Sequence, residues 1–195
     1  LSSLGAFTFG GSWRDFPVAA HPKVDASTGE LILYGFDISF PETIFRYGVW
    51  DGSRMVSDVS FPIGGEPNPI PFSHDCAITS TRSILIDNSM RFSPGPILEF
   101  ADRPIRFGVL PRHAQSADEL VWIEAPPLAV NHTIAAWDDA DDPDVIVLWA
   151  PVAKDASAIF EHRGYFGRVA ELRLSVRERR LLSLRELSGP ETRID

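Results

Sequence analysis

The sequence contains a single cysteine, Cys76, and no long apolar run. One cysteine excludes a disulfide bond within the chain and leaves no basis for a thiolate zinc site. No stretch approaches the roughly 18 apolar residues that a membrane-spanning helix needs. The start of the chain also lacks the basic and apolar regions of a secretory signal. The sequence therefore shows no disulfide framework, no membrane helix and no signal peptide.

Basic residues are also fewer than acidic residues. The chain has 18 Lys and Arg residues against 27 Asp and Glu, which gives a formal net charge of −9 and a pI near 5.0. Because nucleic-acid backbones are negatively charged, this balance predicts that nucleic acid is not a partner. Hydrophobic residues make up 44% of the chain and charged residues 23%, so it is not a disordered, collagen-like or coiled-coil sequence. Its 195 residues suffice for one domain with a sizeable core.

Sequence motifs of three common enzyme classes are missing. No Gly-x-Ser-x-Gly motif is present, which argues against an α/β-hydrolase with its serine nucleophile. Neither a Gly-x-x-x-x-Gly-Lys phosphate loop nor a Gly-x-Gly-x-x-Gly dinucleotide fingerprint occurs, so nucleotide chemistry has no support.

Long helices are disfavoured because 16 prolines and 14 glycines are spread over the whole chain. Short β-branched or aromatic runs separated by turn residues predict strands of roughly 5–8 residues instead. Helical periodicity is present only weakly, at Asp155–Glu161. This pattern predicts an all-β sandwich, barrel or propeller. The expected strands include Glu30–Phe36, Ile44–Trp50, Ala77–Ile86, Ile105–Leu110, Leu120–Glu124, Val145–Trp149 and Val169–Val176.

Three segments between the expected strands have the composition of loops. Pro62–Ser73 is rich in proline and glycine, and Asn88–Pro104 mixes apolar side chains with three prolines. The second segment is either a crossover loop that buries its own apolar side chains or an apolar wall with a lipid-facing lip at Met90–Phe100. The third segment has five aspartates between Asp138 and Asp144. Because it lacks the spacing and glycine of an EF-hand loop, we predict a solvated hairpin tip there in preference to a calcium site.

Three of the five histidines share a setting. His21, His74 and His132 each follow a loop and precede a strand-like run, at separations of 53 and 58 residues. A propeller blade is a four-stranded unit of about 40–50 residues, and the innermost strands of all blades face one axis. Histidines at the same place in successive blades would meet on that axis, where imidazoles bind Zn, Cu, Fe or Ni. The spacing alone fits ordinary core or loop histidines equally well.

The other two histidines and the cysteine are expected outside such a cluster. His113 and His162 lie in polar segments, and we expect His113 to be exposed. Cys76 begins the short apolar stretch Cys76-Ala77-Ile78, which predicts an inert thiol in the core.

Four short motifs follow one another around the three clustered histidines. They are His21-Pro22-Lys23-Val24-Asp25 with Thr28-Gly29-Glu30-Leu31, His74-Asp75-Cys76-Ala77-Ile78-Thr79, Arg106-Phe107-Gly108-Val109-Leu110-Pro111-Arg112, and His132 with Ala136-Trp137-Asp138-Asp139. Together they resemble the carotenoid cleavage oxygenase family. The first, second and fourth are similar to its iron-ligand motifs, and the third is similar to a strand and turn between the second and third ligands. The sequence differs locally, because Cys76 replaces the usual aromatic residue.

The resemblance implies a seven-bladed β-propeller with a non-haem Fe(II) ion on its axis. Four histidines would hold the iron, and three of them would be His21, His74 and His132, with the fourth outside this chain. The second-shell glutamates that orient the ligands would also lie mostly outside it. The implied reaction is cleavage by O₂ of a conjugated carbon–carbon double bond, which gives two carbonyl products. Aromatic side chains suit a wall for a long polyene or simply pack in the core, and the candidates are Phe72, Phe92, Phe100 and Trp137.

The chain begins at Leu1 and ends at Asp195 shortly after a strand-like run, so we expect part of a longer protein. Residues 1–195 would form a single segment, truncated at both ends, with about three to four blades of the propeller. The expected function is that of an Fe(II)-dependent dioxygenase acting on a carotenoid or apocarotenoid and O₂. Two alternatives remain open: a stilbene-cleaving oxygenase and a catalytically inactive propeller fragment. The expected location is plastid or cytoplasmic, with peripheral membrane contact during substrate uptake, and the oligomeric state is left open.

Overall fold

Strands make up almost all of the regular structure of this chain. A computed structural model describes residues 2, 5–37, 43–63, 70–93, 97–100, 102–154, 167–187 and 189. Within these ranges the elements are strands and two short 3-10 turns, Phe9–Gly11 and Ala117–Glu119. The all-β prediction is confirmed, whereas the weak helical pattern at Asp155–Glu161 lies outside the described residues. No described helix has the length and apolar character needed to cross a membrane.

The first structural unit is a four-stranded antiparallel meander, which we call unit 1. Burial alternates along its last strand, so that Val59 and Phe61 face the core while Asp58 and Ser60 face solvent. The strands pair in chain order. They are β1 (Lys23–Val24), β2 (Leu31–Asp37), β3 (Ile44–Trp50) and β4 (Met55–Pro62).

Unit 2 is a second antiparallel meander, interrupted by a small separate sheet. The strands of this part of the chain are β5 (Ile70–Pro71), β6 (Cys76–Ile78), β7 (Arg82–Asp87), β8 (Met90–Ser93), β9 (Ile97–Phe100), β10 (Ile105–Pro111) and β11 (Val121–Ala125). Unit 2 consists of β6, β7, β10 and β11, paired in that order. The small sheet has the order β5-β8-β9. Its strand β5 comes from the segment before β6, and β8 and β9 come from the connection between β7 and β10.

Unit 3 completes the described structure. It contains β12 (Ala129–Val130), β13 (Ala135–Asp138), β14 (Val145–Ala153), β15 (Arg168–Ser175) and β16 (Arg180–Glu186). The long strand β14 pairs with both β12 and β13 on one side and with β15 on the other. The outer strand β16 meets β11 in parallel at Glu124 and Arg180, which joins units 2 and 3 into one sheet.

The hydrophobic core lies between the units, in two layers. Between units 1 and 2, Tyr34 and Tyr47 pack with Leu85 and Leu110. Between units 2 and 3, side chains including Ile86 and Phe107 pack against β14 and β15. Side chains of β7 therefore face both layers alternately, as expected of a sheet covered on each side. Three antiparallel units, two of four strands and one of five, agree with the expected three to four blades, and the number seven for the whole ring stays a prediction.

One predicted strand is divided in the structure. The run Ala77–Ile86 was expected to be continuous, but β6 ends at Ile78 and β7 begins at Arg82. The Thr79 hydroxyl accepts hydrogen bonds from the backbone N–H groups of Thr81 and Arg82. This local capping closes a tight turn within the polar stretch Thr79–Ser83, which divides the predicted strand in two.

Two of the three predicted loops, Pro62–Ser73 and Asn88–Pro104, contain strands in the structure. The expected loop Asn88–Pro104 contains the β8–β9 hairpin, despite its prolines. Met90 is fully buried with Ala129 and Ala153, so the idea of a lipid-facing lip is wrong at this residue. Its apolar side chain packs inward because the hairpin lies over unit 3. Of the other loop, residues 64–69 lie outside the described structure, and Ile70–Pro71 forms β5.

The aspartate-rich segment forms the turn between β13 and β14, which confirms the predicted hairpin tip. Asp139 Oδ1 accepts the backbone N–H groups of Asp141 and Asp142. Asp138 forms an ion pair of 2.6 Å with Arg82. The aspartates thus stabilise the turn and its link to unit 2.

Candidate metal centre

Each of the three units places one histidine immediately before or between its inner strands. His21 lies two residues before β1, His74 lies two residues before β6, and His132 lies between β12 and β13. These inner strands lie side by side, so the three histidines converge although they are far apart in sequence. One ligand atom from each ring lies within 4.8 Å of the others. The structure therefore brings together the three histidines that the sequence singled out.

The rings form a compact, half-buried triangle. His21 Nε2 and His74 Nε2 are 3.0 Å apart. The ring centroids are 4.6 Å apart for His21 and His74, and His132 lies 5.0 Å from each of them. A separation of 3.0 Å between two ring nitrogens requires at least one of them to present a lone pair. That lone pair is the feature by which imidazole binds a metal ion.

The surroundings of His74 favour its neutral imidazole form. Burial lowers the pKa of His74, and the neighbouring rings of His21 and His132 lower it further, against an opposing effect of Asp75. Metal binding needs the unprotonated ring. Three neutral nitrogen donors suit iron, zinc, copper or nickel and do not suit calcium or magnesium, which prefer oxygen. The residues present therefore fit a non-haem Fe(II) ion.

The backbone before His21 is held against unit 1. The Ala19 N–H group donates to Tyr34 O at 2.8 Å. A side chain at Gly35 would collide with the carbonyl oxygen of Pro17, so only glycine lets the two segments lie so close. This close approach determines where His21 enters the cluster.

Two residues next to the clustered histidines escaped the sequence analysis. The Asp75 carboxylate, which is 2% exposed, contacts donors from all three histidine-bearing segments. Asn131 is also buried, and its Nδ2 lies 3.4 Å from His132 Nδ1. Oδ1 of Asn131 has no hydrogen-bond partner among the described residues. The only sequence signal for both was their position directly beside a histidine.

A cavity of about 400 Å³ opens beside His74. Its walls are mainly apolar and include Phe36, Phe72 and Phe92. The ring of Phe72 stacks on that of His74, with centroids 5.5 Å apart and planes 5° apart, and Phe92 meets Phe72 edge-on. The cavity thus leads along aromatic side chains to one corner of the histidine triangle.

Only two of the four aromatic residues suggested for a substrate wall line this cavity. These are Phe72 and Phe92. Phe100 packs against the buried Met90 cluster instead. Trp137 is 39% exposed and packs edge-on against Trp149. The core-packing alternative therefore holds for Phe100, while Trp137 belongs to an outer surface of unit 3.

Among the described residues, His113 and Cys76 contribute no ligand atom to the triangle. The side chain of His113 is 55% exposed and its Nε2 lies 2.6 Å from Glu30 Oε1, as expected for a surface histidine. His162 lies outside the described residues. Cys76 is fully buried, and burial, with a smaller effect of Asp75, raises the pKa of its thiol to about 12. The predicted place of this thiol in the core is confirmed, and its inertness stays a prediction.

Comparison with known proteins identifies related sequences. A family model described as retinal pigment epithelial membrane protein matches residues 1–179. "Carotenoid 9,10(9',10')-cleavage dioxygenase 1" of Pisum sativum is 32% identical over 136 residues, which are 63% of this chain and 23% of the relative. "9-cis-epoxycarotenoid dioxygenase NCED2, chloroplastic" of Oryza sativa subsp. japonica is 30% identical over 156 residues, which are 76% of this chain and 26% of the relative. The chain thus matches about a quarter of the length of these curated relatives.

Solved structures share the fold. The lignostilbene dioxygenase of Pseudomonas brassicacearum superposes with a TM-score of 0.75 at 19% identity, covering 96% of this chain and 42% of that chain. The cobalt-substituted apocarotenoid oxygenase of Synechocystis gives a TM-score of 0.72 at 17% identity, covering 93% of this chain and 42% of that chain. At these identities the likeness concerns the arrangement of strands.

Proposed function

This chain belongs to the retinal pigment epithelial membrane protein family, and from that premise we propose that its protein is an Fe(II)-dependent dioxygenase. The proposed substrate is a carotenoid or apocarotenoid. One oxygen atom of O₂ goes to each carbon of a conjugated double bond, so that the carbon–carbon bond breaks and two carbonyl groups form. The balance requires no further reductant.

The observation that carries this proposal is the convergence of His21, His74 and His132 from three separate units. Three imidazoles within 4.8 Å of one another make a donor set for a transition metal. An iron ion held there would supply the O₂ chemistry that no side chain of the cluster can perform. The chain's own task is to hold the rings neutral and correctly turned.

The cavity beside His74 supports an apolar, elongated substrate. Phe72 and Phe92 offer flat surfaces for a conjugated chain, and such walls also exclude water from the reacting bond. Because Phe72 stacks on His74, a polyene lying along Phe72 would be positioned beside the proposed metal. The aromatic wall would therefore both bind the substrate and align its double bond.

The related sequences favour a carotenoid over a stilbene. The relatives at 30–32% identity are named as enzymes of carotenoid cleavage. The lignostilbene dioxygenase is similar in fold alone, at 19% identity, so it keeps stilbene cleavage as the alternative to be assayed. The name of the rice relative contains the word chloroplastic, and a plastid location is part of this proposal. We also propose that the protein contacts a membrane during substrate uptake, through a surface that does not include the buried Met90.

The proposal can be tested with the whole protein, reconstituted with Fe(II) and assayed for metal content, O₂ consumption and products. We expect iron to bind and β-carotene, an apocarotenoid or both to be cleaved, with a stilbene such as resveratrol cleaved much less. His74→Ala should lose bound iron and turnover, because it removes one of the three donors. His113→Ala is the matched control, since this exposed histidine lies outside the triangle.

Three outcomes would contradict this proposal in different ways. Unchanged iron content and activity in His74→Ala would overturn the ligand assignment. Preferential turnover of the stilbene would overturn the substrate. A whole protein that neither binds iron nor consumes O₂ would favour the inactive propeller.

A further inference from the structure

We propose that Asp75 is a positioning residue that aligns the three histidine-bearing segments with one another. This inference rests on the proposed function, because it concerns the same metal centre. It adds a residue whose carboxylate acts through the backbone of the ligands rather than on the metal itself.

The contacts of Asp75 reach every segment that carries a clustered histidine. Asp75 directly follows His74, and its Oδ1 accepts the N–H group of Cys76 at 2.8 Å. Its Oδ2 accepts both the N–H group and the hydroxyl of Thr133, at 2.8 and 2.9 Å, and Thr133 directly follows His132. Lys23, two residues after His21, places its Nζ 2.7 Å from Oδ1. One carboxylate thus connects units 1, 2 and 3 beside the triangle.

These contacts use the full hydrogen-bonding capacity of the carboxylate. An ionised carboxylate can accept about four hydrogen bonds, and Asp75 has four donors. The side chain is 2% exposed, so its charge is shielded from solvent and depends on Lys23 for compensation. This buried carboxylate holds its partners at defined positions, because loss of its charge would leave the backbone N–H groups of Cys76 and Thr133 with a weaker acceptor. The Thr133 hydroxyl is also within 2.9 Å of the carbonyl oxygen of Cys76.

Asp75 does not belong to the donor set of the triangle. The group of ligand atoms within 4.8 Å of one another, among the described residues, contains the three histidines and no carboxylate. Both oxygens of Asp75 are occupied by the donors named above. Its effect on a bound metal must therefore come from the positions of the neighbouring residues. Thr133 is one of these, and it directly follows His132 in the chain.

A second aspartate provides a matched control. Asp138 also connects units 2 and 3, through Ser80, Thr81 and Arg82, at distances of 2.6–3.0 Å. It is six residues away from His132, and its partners are at least six residues away from His74. Loss of its charge weakens the contact between the same two units without touching a residue adjacent to a ligand.

The experiment measures Co(II) binding to the whole protein, freed of metal, by titration against a competing chelator. Co(II) serves as the probe because its visible absorption bands report the geometry of its ligands. Asp75→Asn keeps the shape of the side chain but removes its charge, and we expect a loss of about 10- to 100-fold in affinity with altered bands. Thr133→Val removes a single donor and should produce a smaller loss in the same direction. Asp138→Asn should bind Co(II) within about twofold of wild type.

The outcomes separate this inference from the proposed function. Wild-type affinity and bands in both Asp75→Asn and Thr133→Val would overturn the inference alone, as would an equal loss of affinity in Asp138→Asn. If Asp75→Asn does not fold, Thr133→Val carries the test. Failure of wild type to bind Co(II), or wild-type binding in His74→Ala, would overturn the proposed metal centre and with it the inference.

Discussion

Cys76 shows how strongly burial governs side-chain chemistry next to the proposed metal centre. The residue is fully buried, and its raised pKa of about 12 keeps the thiol protonated at neutral pH. A thiolate is the reactive and metal-binding form of cysteine. The group of ligand atoms within 4.8 Å of one another, among the described residues, also does not include the Cys76 sulfur.

This inertness predicts the labelling of Cys76. With iodoacetamide at pH 8, the native whole protein should be alkylated at Cys76 to less than about a tenth of the level reached in guanidinium. Mass spectrometry of the peptide that contains Cys76 measures both levels. Rapid labelling of the native protein would mean that the thiol is accessible and reactive, contrary to its burial.

The clustered histidines and the residues around them differ in how well the sequence can reveal them. His21, His74 and His132 were predictable because each precedes an inner strand and lies in a motif of its own. The role of Asp75 was not, because its contact with Thr133 spans 58 residues and exists only once units 2 and 3 pack. Phe100 illustrates the converse, since nothing in its local sequence distinguishes a cavity wall from core packing.

Turns between strands help to hold units 1 and 2 together through the side chain of Arg112. Arg112, at the end of β10, is 5% exposed. Its guanidinium contacts Asp25 at 3.1 Å, Glu30 at 3.8 Å and the carbonyl oxygen of Thr79. It therefore links the β1–β2 turn with the β6–β7 turn. A buried cation with these partners is expensive to disturb because the two carboxylates lose their compensation.

Arg112→Met should therefore lower the free energy of unfolding of the whole protein by about 3 kcal/mol. Arg177→Met is the matched control, since this arginine is 70% exposed and its nearest carboxylate contacts are 3.8 and 3.9 Å. It should change the free energy by less than about 0.5 kcal/mol. Urea unfolding followed by tryptophan fluorescence gives both values. Equal effects of the two substitutions would show that Arg112 contributes no more than a surface ion pair.

Strand existence was easier to predict than strand boundaries. The apolar runs at β2, β3, β10 and β14 predicted strands because their side chains fill the layers between units. The segment Ala77–Ile86 was predicted as one strand although its middle, Thr79–Ser83, is polar, and the Thr79 hydroxyl closes a turn there by accepting the Arg82 N–H group. The β8–β9 hairpin was mistaken for a loop because its prolines outweighed the apolar pattern of Met90 and Phe92.

Each of the three units supplies one histidine of the triangle, so a metal bound there would connect all three units. A ligand that binds only the folded state stabilises it by roughly 2.7 kcal/mol at one hundred times its dissociation constant. Removing the metal should therefore make the three-unit assembly easier to unfold.

Dialysis of the whole protein against a chelator should lower its melting temperature, and restoring Fe(II) without oxygen should recover it. His74→Ala should melt at the same temperature with and without chelator, since it lacks one donor. Differential scanning calorimetry measures both shifts. A melting temperature of wild type that does not respond to chelation would mean that no metal links the units.

The wide spacing of the three histidines also constrains the order of events during folding. His21 and His132 are separated by more than half of the chain, and the contact between Asp75 and Thr133 spans 58 residues and joins units 2 and 3. Because distant contacts form late and slowly in β-rich chains, no early intermediate can present the complete donor set. The metal cannot act as a template for collapse in the way that zinc does in a small finger domain. It would enter a nearly finished molecule, so that iron starvation should yield folded, reloadable protein rather than unfolded chains.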